Sequence, residues 1–114
     1  MTVILALAAI LSLAGSEWGP AGGGEQSLQF GDGRIAGHSG CNRYTGRYEQ
    51  DGNRLSFGPI ASTRMACPAE RMKMERAWFQ MLGNVRSFEA THLVLELKGS
   101  DGTVIATLQR RDFD

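Results

Sequence analysis

Cysteine, histidine and proline are all scarce in this chain of 114 residues, which contains two, two and three of them respectively. Neither cysteine belongs to a C-x-x-C pair, so there is no thioredoxin-type redox motif. His38 and Cys41 have a spacing that two metal ligands could share, but His92 and Cys67 are scattered, unlike the paired ligands of structural zinc modules. Neither histidine has a recognisable spacing to a third catalytic group. We therefore predict no metal, no cofactor and no catalytic residue, and hence a protein that is not an enzyme.

An excess of charge of one sign is also lacking. Twelve basic and twelve acidic residues cancel, and they alternate along the chain without blocks. This linear pattern shows no electrostatic footprint of nucleic-acid binding and no polybasic membrane patch. The length indicates a single domain. We expect a monomer that does not bind nucleic acid.

The first 16 residues lack any charged side chain, because the first one is Glu17. The apolar run from Val3 to Ala14 is too short to span a bilayer comfortably but has the length of a secretory signal core, and small residues follow it. The absence of Lys or Arg near Met1 argues against a signal, and a buried terminal strand or helix is the alternative. We expect residues 1–14 to be a signal or hydrophobic segment and residues 15–114 to be the domain. The expected location is the bacterial periplasm, the cell envelope or the medium.

Most of the remaining sequence consists of short alternating stretches separated by turn residues, which is typical of antiparallel strands. A glycine-rich stretch at residues 19–26 is predicted to be an irregular loop. The predicted strands that follow are 27–30, 34–38, 43–49, 55–57, 85–90, 93–98 and 104–108. Gly37, Gly40 and Gly46 interrupt this pattern, so we expect a bulge or a close approach of two backbones there.

One segment has a helical period instead. Pro68 suits the first helical position, and Glu70 would lie in the first turn, where its charge complements the helix dipole. Gly83-Asn84 would end the helix. The apolar stripe predicted for this helix consists of Met74, Ala77, Trp78, Met81 and Leu82, with Arg71, Lys73, Glu75 and Arg76 mainly off it. Because one helix covers one face of a sheet, the predicted fold class is α+β: a single curved antiparallel β-sheet wrapped around one amphipathic α-helix.

Cys41 and Cys67 are 26 positions apart, each in a short polar stretch. They could be buried free thiols in a cytosolic protein or two ligands of a metal site with His38 and His92. Alternatively, one of them could be a catalytic nucleophile and the other have no catalytic role. A disulfide is favoured because it fits the secretory-looking start and an oxidising compartment. It would join the loop after the second predicted strand to the start of the helix, and closing such a loop stabilises by roughly 3–4 kcal/mol.

The stretches around the cysteines also carry a family likeness. Residues 39–46, SGCNRYTG, and residues 59–67, PIASTRMAC, resemble the two signatures of META domains, GCN-R-aromatic-S/T-G and T-R-M-x-C. The resemblance extends over nearly the whole chain from about residue 13. It implies the same fold, an envelope or secreted location in bacteria, and no established catalytic activity. The lipidated cysteine of many family members is absent here, because Ser16 stands in its place.

Four polar residues flank the cysteines: Asn42, Arg43, Thr63 and Arg64. They could form a patch that binds an anion or a partner, since arginine can grip carboxylate or phosphate with two hydrogen bonds. Alternatively, Asn42 and Thr63 satisfy backbone groups of the loops while the arginines are solvated or ion-paired. The second interpretation is favoured, and the first remains open.

Two functions are compatible with these observations. The first is a non-enzymatic envelope domain that contributes to stress or antibiotic tolerance, as heat-shock-inducible family members suggest, by binding another envelope component. The second is a small carrier that holds an apolar ligand or lipid between helix and sheet. An open apolar cavity beside Met74, Trp78 and Met81 would favour the carrier, and a packed core there would argue against it.

Overall fold

The computed structural model describes residues 12–112. The predicted signal segment, residues 1–14, lies outside this range except for Ser12, Leu13 and Ala14. None of the helices in the described range has the length and apolar character needed to cross a membrane. The elements, in chain order, are β1 (Glu17–Pro20), β2 (Ser27–Phe30), β3 (Arg34–His38), β4 (Arg43–Asp51), β5 (Arg54–Phe57), β6 (Ala61–Ser62), α1 (Ala69–Asn84), β7 (Ser87–Ala90), β8 (Val94–Lys98) and β9 (Val104–Arg110).

All the strands belong to one antiparallel sheet, in the order β3-β2-β1-β9-β8-β7-β5-β4-β6. Because β3 also pairs with β4, the sheet closes on itself, and β6 continues the edge of β4 beyond β5. The closure is thinnest between β5 and β7, where one pair of residues, Arg54 and Ser87, is in register. The predicted α+β class, with one helix packed on a curved antiparallel sheet, is confirmed.

Alternation along the strands builds the core. In β2, Leu28 and Phe30 are buried while Gln29 between them is exposed, and the same period places Tyr44 and Tyr48 of β4 inside. The ring of Phe30 meets that of Tyr48 edge to face, with centroids 5.0 Å apart. A two-residue period with aromatic and aliphatic residues on one side is what a half-buried strand requires.

The helix is longer than the sequence predicted and is rotated about its axis. Pro68 is its N-cap in an extended conformation, not its first helical residue, and Gly83 and Asn84 lie within the helix. Trp78 and Leu82 are buried as predicted, but Met74 is 45% exposed. Glu75 lies on the packed face instead, because its carboxylate accepts hydrogen bonds from Ser39 and Asn42 in the turn between β3 and β4. Hydropathy alone misplaced the packed stripe by about one residue.

Two strands, β1 and β6, were not predicted from the sequence. Gly19 and Pro20, assigned to a loop from the sequence, complete β1, whose backbone pairs with β9. A side chain at Gly19 would collide with the guanidinium of Arg111, which runs across it to donate hydrogen bonds to the carbonyls of Pro20, Gly24 and Gln26. When β1 and β6 are counted, the helix follows the sixth strand, whereas the sequence predicted it after the fourth.

The segment before β1 is part of the folded domain. Leu13 is 2% exposed and belongs to the core cluster. Its backbone N–H donates to the side chain of Gln50 at 3.0 Å, and its carbonyl accepts from the hydroxyl of Ser16. The Ser16 hydroxyl in turn accepts from the indole N–H of Trp18 at 2.7 Å. Residues 13–16 are therefore packed and hydrogen-bonded as part of the domain.

Candidate functional site

The two cysteines form a disulfide, with their sulfur atoms 2.06 Å apart and their Cα atoms 6.0 Å apart. The predicted disulfide is therefore confirmed, and both thiols are consumed by it. It joins residues 39–42, the turn between β3 and β4, to residues 63–67, the segment between β6 and α1. We call these two segments together the cystine junction.

Ser39 organises the first half of the cystine junction. It is fully buried, and its hydroxyl oxygen accepts hydrogen bonds from the backbone N–H groups of Cys41 and Asn42. The tight turn from Ser39 to Asn42 requires a positive φ of 104° at Gly40, a value that residues with a side chain rarely adopt. This local hydrogen bonding explains why a serine and a glycine precede the cysteine.

Asn42 connects the two halves. Its side-chain oxygen accepts from the hydroxyl of Thr63 at 3.0 Å and from the backbone N–H of Met65 at 2.7 Å. Its amide nitrogen donates to a carboxylate oxygen of Glu75 at 3.0 Å. Because Asn42 is only 3% exposed, these bonds replace all contact with water and fix the course of the second segment.

Two charged helix residues fasten α1 to the cystine junction. The Oε1 atom of Glu75 also accepts from the hydroxyl of Ser39 at 2.6 Å. Arg71, one turn earlier, donates from Nε to the carbonyl of Gly40 at 2.8 Å and forms an ion pair with Glu25. Residues 71 and 75 thus lie on one side of the helix, at the spacing of i and i+4.

The four residues of the predicted patch are close together but divide into two kinds. The side chains of Asn42 and Thr63 form hydrogen bonds to each other and to the loop backbone. One of these is donated by the backbone N–H of Arg43 to the Thr63 hydroxyl. Arg43 and Arg64 are exposed. Of the four, the two arginines are therefore the residues whose side-chain polar groups make no hydrogen bond to the described protein.

A second hydrogen-bonded chain lies under the helix. The hydroxyl of Tyr44 donates to the carbonyl of Ser27 at 2.6 Å and accepts from the indole N–H of Trp78 at 3.0 Å. A side chain at Gly37 would collide with that same carbonyl and hydroxyl, so the glycine permits the contact. Burial raises the pKa of Tyr44 well above its ordinary range, although the hydrogen bond from Trp78 partly opposes this shift.

An open apolar groove runs between α1 and β9. It has a volume of about 450 Å³, and its walls include Met74, Met81 and Ile105. Ile105 is the additional residue of a bulge in β9, because Leu97 pairs with Ala106 while Lys98 pairs with Val104. Trp78 forms part of the floor but is only 6% exposed. The groove is thus a surface depression above a packed core.

Among residues 12–112, no three His, Cys, Asp or Glu side chains lie close enough to hold a metal ion. His38 accepts a hydrogen bond at Nδ1 from the backbone N–H of Gly40, which gives that ring nitrogen a structural role in the turn.

Sequence reasoning did not identify Glu75 or Tyr44 as structural residues of this region. The signal for Glu75 was its spacing: it lies three residues before Trp78 and seven before Leu82, and so on the packed face. The signal for Tyr44 was weaker, since a tyrosine at an inward strand position requires a partner for its hydroxyl but does not indicate which one.

Comparisons with known proteins agree with this description. The sequence model of the META domain matches residues 10–112. An NMR structure of a protein from Burkholderia xenovorans is 25% identical, with a TM-score of 0.70 over 89% of this chain and 85% of that one. A second NMR structure, 21% identical, has a TM-score of 0.61 over 87% of this chain and 90% of that one, and shows the same fold. A search of curated protein sequences found no match.

Proposed function

The chain belongs to the META domain family, and on this premise we propose that it is a non-enzymatic binding domain of the bacterial cell envelope. Its action would be to bind another envelope component and so to contribute to stress or antibiotic tolerance. The observation that carries the binding function is the open groove between α1 and β9. An exported location is supported by the disulfide between Cys41 and Cys67, since such bonds persist in oxidising compartments.

The groove has the properties of a docking surface for apolar side chains. Met74 and Ile105, on opposite walls, are 45% and 38% exposed although both are large and apolar. Methionine adapts its shape readily to different partners. Exposed apolar walls next to a packed floor would gain free energy when a partner covers them.

The same geometry supports partner binding over the carrier alternative. A carrier would store its ligand between helix and sheet, where Trp78 is instead hydrogen-bonded to Tyr44 and packed. The ring of Phe79 also meets Tyr44 edge to face at 5.4 Å. The volume that remains is the open groove, which would leave one side of an acyl chain in water.

The test replaces the groove walls by charge. Met74→Glu and Ile105→Glu should each reduce crosslinking of the protein to its envelope component at least tenfold, because a carboxylate in an apolar contact is costly to desolvate. Leu93→Glu is the matched control, since Leu93 is 49% exposed and does not line the groove. Equal crosslinking by the groove variants and the control would refute the groove as the binding surface.

Native mass spectrometry of the purified protein separates the two functions. A co-purifying acyl ligand that is lost in Met74→Glu and retained in Leu93→Glu would establish the carrier instead. Crosslinked envelope protein without any bound small molecule would support the proposed function.

A further inference from the structure

Basic residues are concentrated on one side of the sheet although the chain is neutral. Segments 33–48 and 52–69 contain no Asp or Glu, yet they hold five of the twelve basic residues: Arg34, Arg43, Arg47, Arg54 and Arg64. In the linear sequence these arginines are spread over 31 positions and form no block. Strand pairing brings three of them together on one side of the sheet, and a fourth, Arg64, is next to Thr63, whose backbone bonds to Arg43.

The register places three of the arginines on the outer side of β3 and β4. Arg34 lies directly opposite Arg47, and Arg43 lies opposite His38. Tyr44 and Tyr48 point into the core, so Arg43 and Arg47, which alternate with them, point outward. Between the two basic rows lie only the small residues Ala36 and Thr45, which form a row of their own.

Arg64 is an exposed residue whose backbone lies beside this surface. It follows β6, which pairs with β4, and its neighbour Thr63 donates from its backbone N–H to the carbonyl of Arg43. We call the outward side of β3 and β4, together with Arg64, the arginine face. It comprises Arg34, Arg43, Arg47 and Arg64. Glu49 ends it on β4.

No described ion pair involves the arginine face, although Glu17 and Asp112 line the same surface depression as Arg34. Within residues 12–112, none of its four guanidinium groups makes an ion pair or a hydrogen bond. Two like charges placed directly opposite each other, as Arg34 and Arg47 are, destabilise a sheet. An anionic partner would remove this repulsion.

An exposed apolar side chain stands beside the arginine face. Met65 is 59% exposed, the largest value among the exposed large hydrophobic residues of the described chain. It is held in place, because its backbone N–H bonds to Asn42 and the disulfide follows two residues later at Cys67. The segment is therefore ordered before any partner arrives, which lowers the entropic cost of docking.

We propose that the arginine face and Met65 bind the surface of an anionic phospholipid bilayer, with the arginines on the phosphates and Met65 at the level of the headgroups. Arginine pairs with phosphate through two parallel hydrogen bonds. An apolar side chain next to basic residues is the combination that holds a domain to an anionic membrane surface. An acidic protein would satisfy the arginines but gives no reason for an exposed methionine next to them. This inference goes beyond the proposed function and uses different strands from the groove.

The experiment measures sedimentation of the full chain with vesicles of phosphatidylcholine alone and of equal parts phosphatidylcholine and phosphatidylglycerol. We expect partition into the anionic vesicles to exceed partition into the neutral ones at least tenfold, and to weaken with salt. Arg43→Gln with Arg64→Gln should lower it by about 25-fold, roughly fivefold for each arginine. The control pair, Lys73→Gln with Arg76→Gln on the exposed side of α1, removes the same charge and should have little effect.

A second pair of variants tests Met65. Met65→Ser should weaken binding to anionic vesicles severalfold, whereas Leu93→Ser, with a similarly exposed side chain, should not. In Met65→Trp, the emission of the new indole should shift to shorter wavelength when anionic vesicles are added.

Three results would overturn the inference. They are equal partition into both kinds of vesicle, an equal loss in the lysine–arginine control pair, or binding to soluble polyglutamate without binding to vesicles. The last would identify an acidic polypeptide as the partner of the arginine face. Because the groove residues are unchanged in all these variants, loss of vesicle binding and loss of the envelope partner are independent outcomes.

Discussion

The phenol of Tyr44 joins three parts of the molecule: its own strand, the backbone of β2 and the indole of Trp78 on the helix. Its hydroxyl donates one hydrogen bond and accepts another while almost fully buried. Ionisation would remove the donor and place a negative charge in the core. This residue therefore makes the fold sensitive to alkaline pH.

The pH dependence can be predicted with its sign. Burial raises the pKa of both tyrosines of the chain, Tyr44 and Tyr48, above the ordinary value near 10 that they regain on unfolding. The native state then holds its phenolic protons to higher pH than the unfolded state, so the contribution of the two tyrosines to stability is constant below about pH 10 and falls as the pH rises further. Urea unfolding midpoints at increasing pH, together with tyrosinate absorbance of the native protein, measure this. Normal titration of both tyrosines in the folded protein would contradict it.

Individual residues differ in how far sequence reasoning could place them. For Asn42 the favoured structural role is the one observed, because a short amide beside a tight turn commonly bonds to nearby backbone. That Arg64 would lie near Arg43 depended on the pairing of β4 with β6 and on the hydrogen bond from Thr63 to Arg43. No local pattern predicts a two-residue strand.

At the scale of elements, the helix depends on polar contacts as well as on apolar packing. Its first half is attached through Arg71 and Glu75, and its second half through Trp78 and Leu82. The hydrophobic period predicted that a helix exists and roughly where it ends. It could not predict that a carboxylate is the inward residue of the second turn, since the groups that satisfy Glu75 come from a turn more than thirty positions away.

Removing this carboxylate should loosen the helix from the cystine junction. In Glu75→Ala, the buried hydroxyl of Ser39 and the amide of Asn42 lose their acceptor, which should cost about 1–3 kcal/mol of unfolding free energy. Glu75→Gln retains an acceptor oxygen and should lose less. Arg76→Ala on the exposed side is the control, expected to change stability by less than about 0.5 kcal/mol. Chemical denaturation measures all three, and equal effects of Glu75→Ala and Arg76→Ala would exclude the anchoring role.

At the scale of the whole molecule, the alternating strands predicted a curved sheet with one helix, and the structure has this arrangement. Closure of the sheet could not be predicted, because it depends on the pairing of β1 with β9. The second half of β1 lies in the glycine-rich stretch that the sequence predicted to be a loop. The side chain of Arg111, far along the chain, is what orders that stretch.

The disulfide should be structural and not reactive. Cys41→Ser with Cys67→Ser should lower the unfolding free energy by roughly 3–4 kcal/mol, because the unfolded chain regains the freedom of a 26-residue loop. Thermal unfolding with and without reductant measures the change. If the proposed functions hold, partner binding at the groove by the fraction that remains folded should persist, whereas vesicle binding should weaken because the segment that carries Met65 loses its disulfide. Unchanged stability would contradict the structural role.

The start of the folded domain can be tested by truncation. A chain beginning at Glu17 lacks Leu13, which is buried, and Ser16, which accepts the hydrogen bond from Trp18. It should be less stable than one beginning at Ser12 by about 2–5 kcal/mol, the usual cost of losing a buried leucine. Calorimetry of the two chains measures the difference. Equal melting temperatures would mean that a signal peptidase could cut after Ser16 without harm to the fold.

The adjacency of β1 and β9 has one more consequence. Since Trp18 lies opposite Arg110, the start of the first strand and the end of the last strand are neighbours in the sheet. A tether attached to the described domain just before β1 or just after β9 would therefore hold it at the same end of this strand pair. A short linker that joins residue 112 to residue 12 should accordingly permit circular permutation, with new ends opened in the hairpin at Gly52.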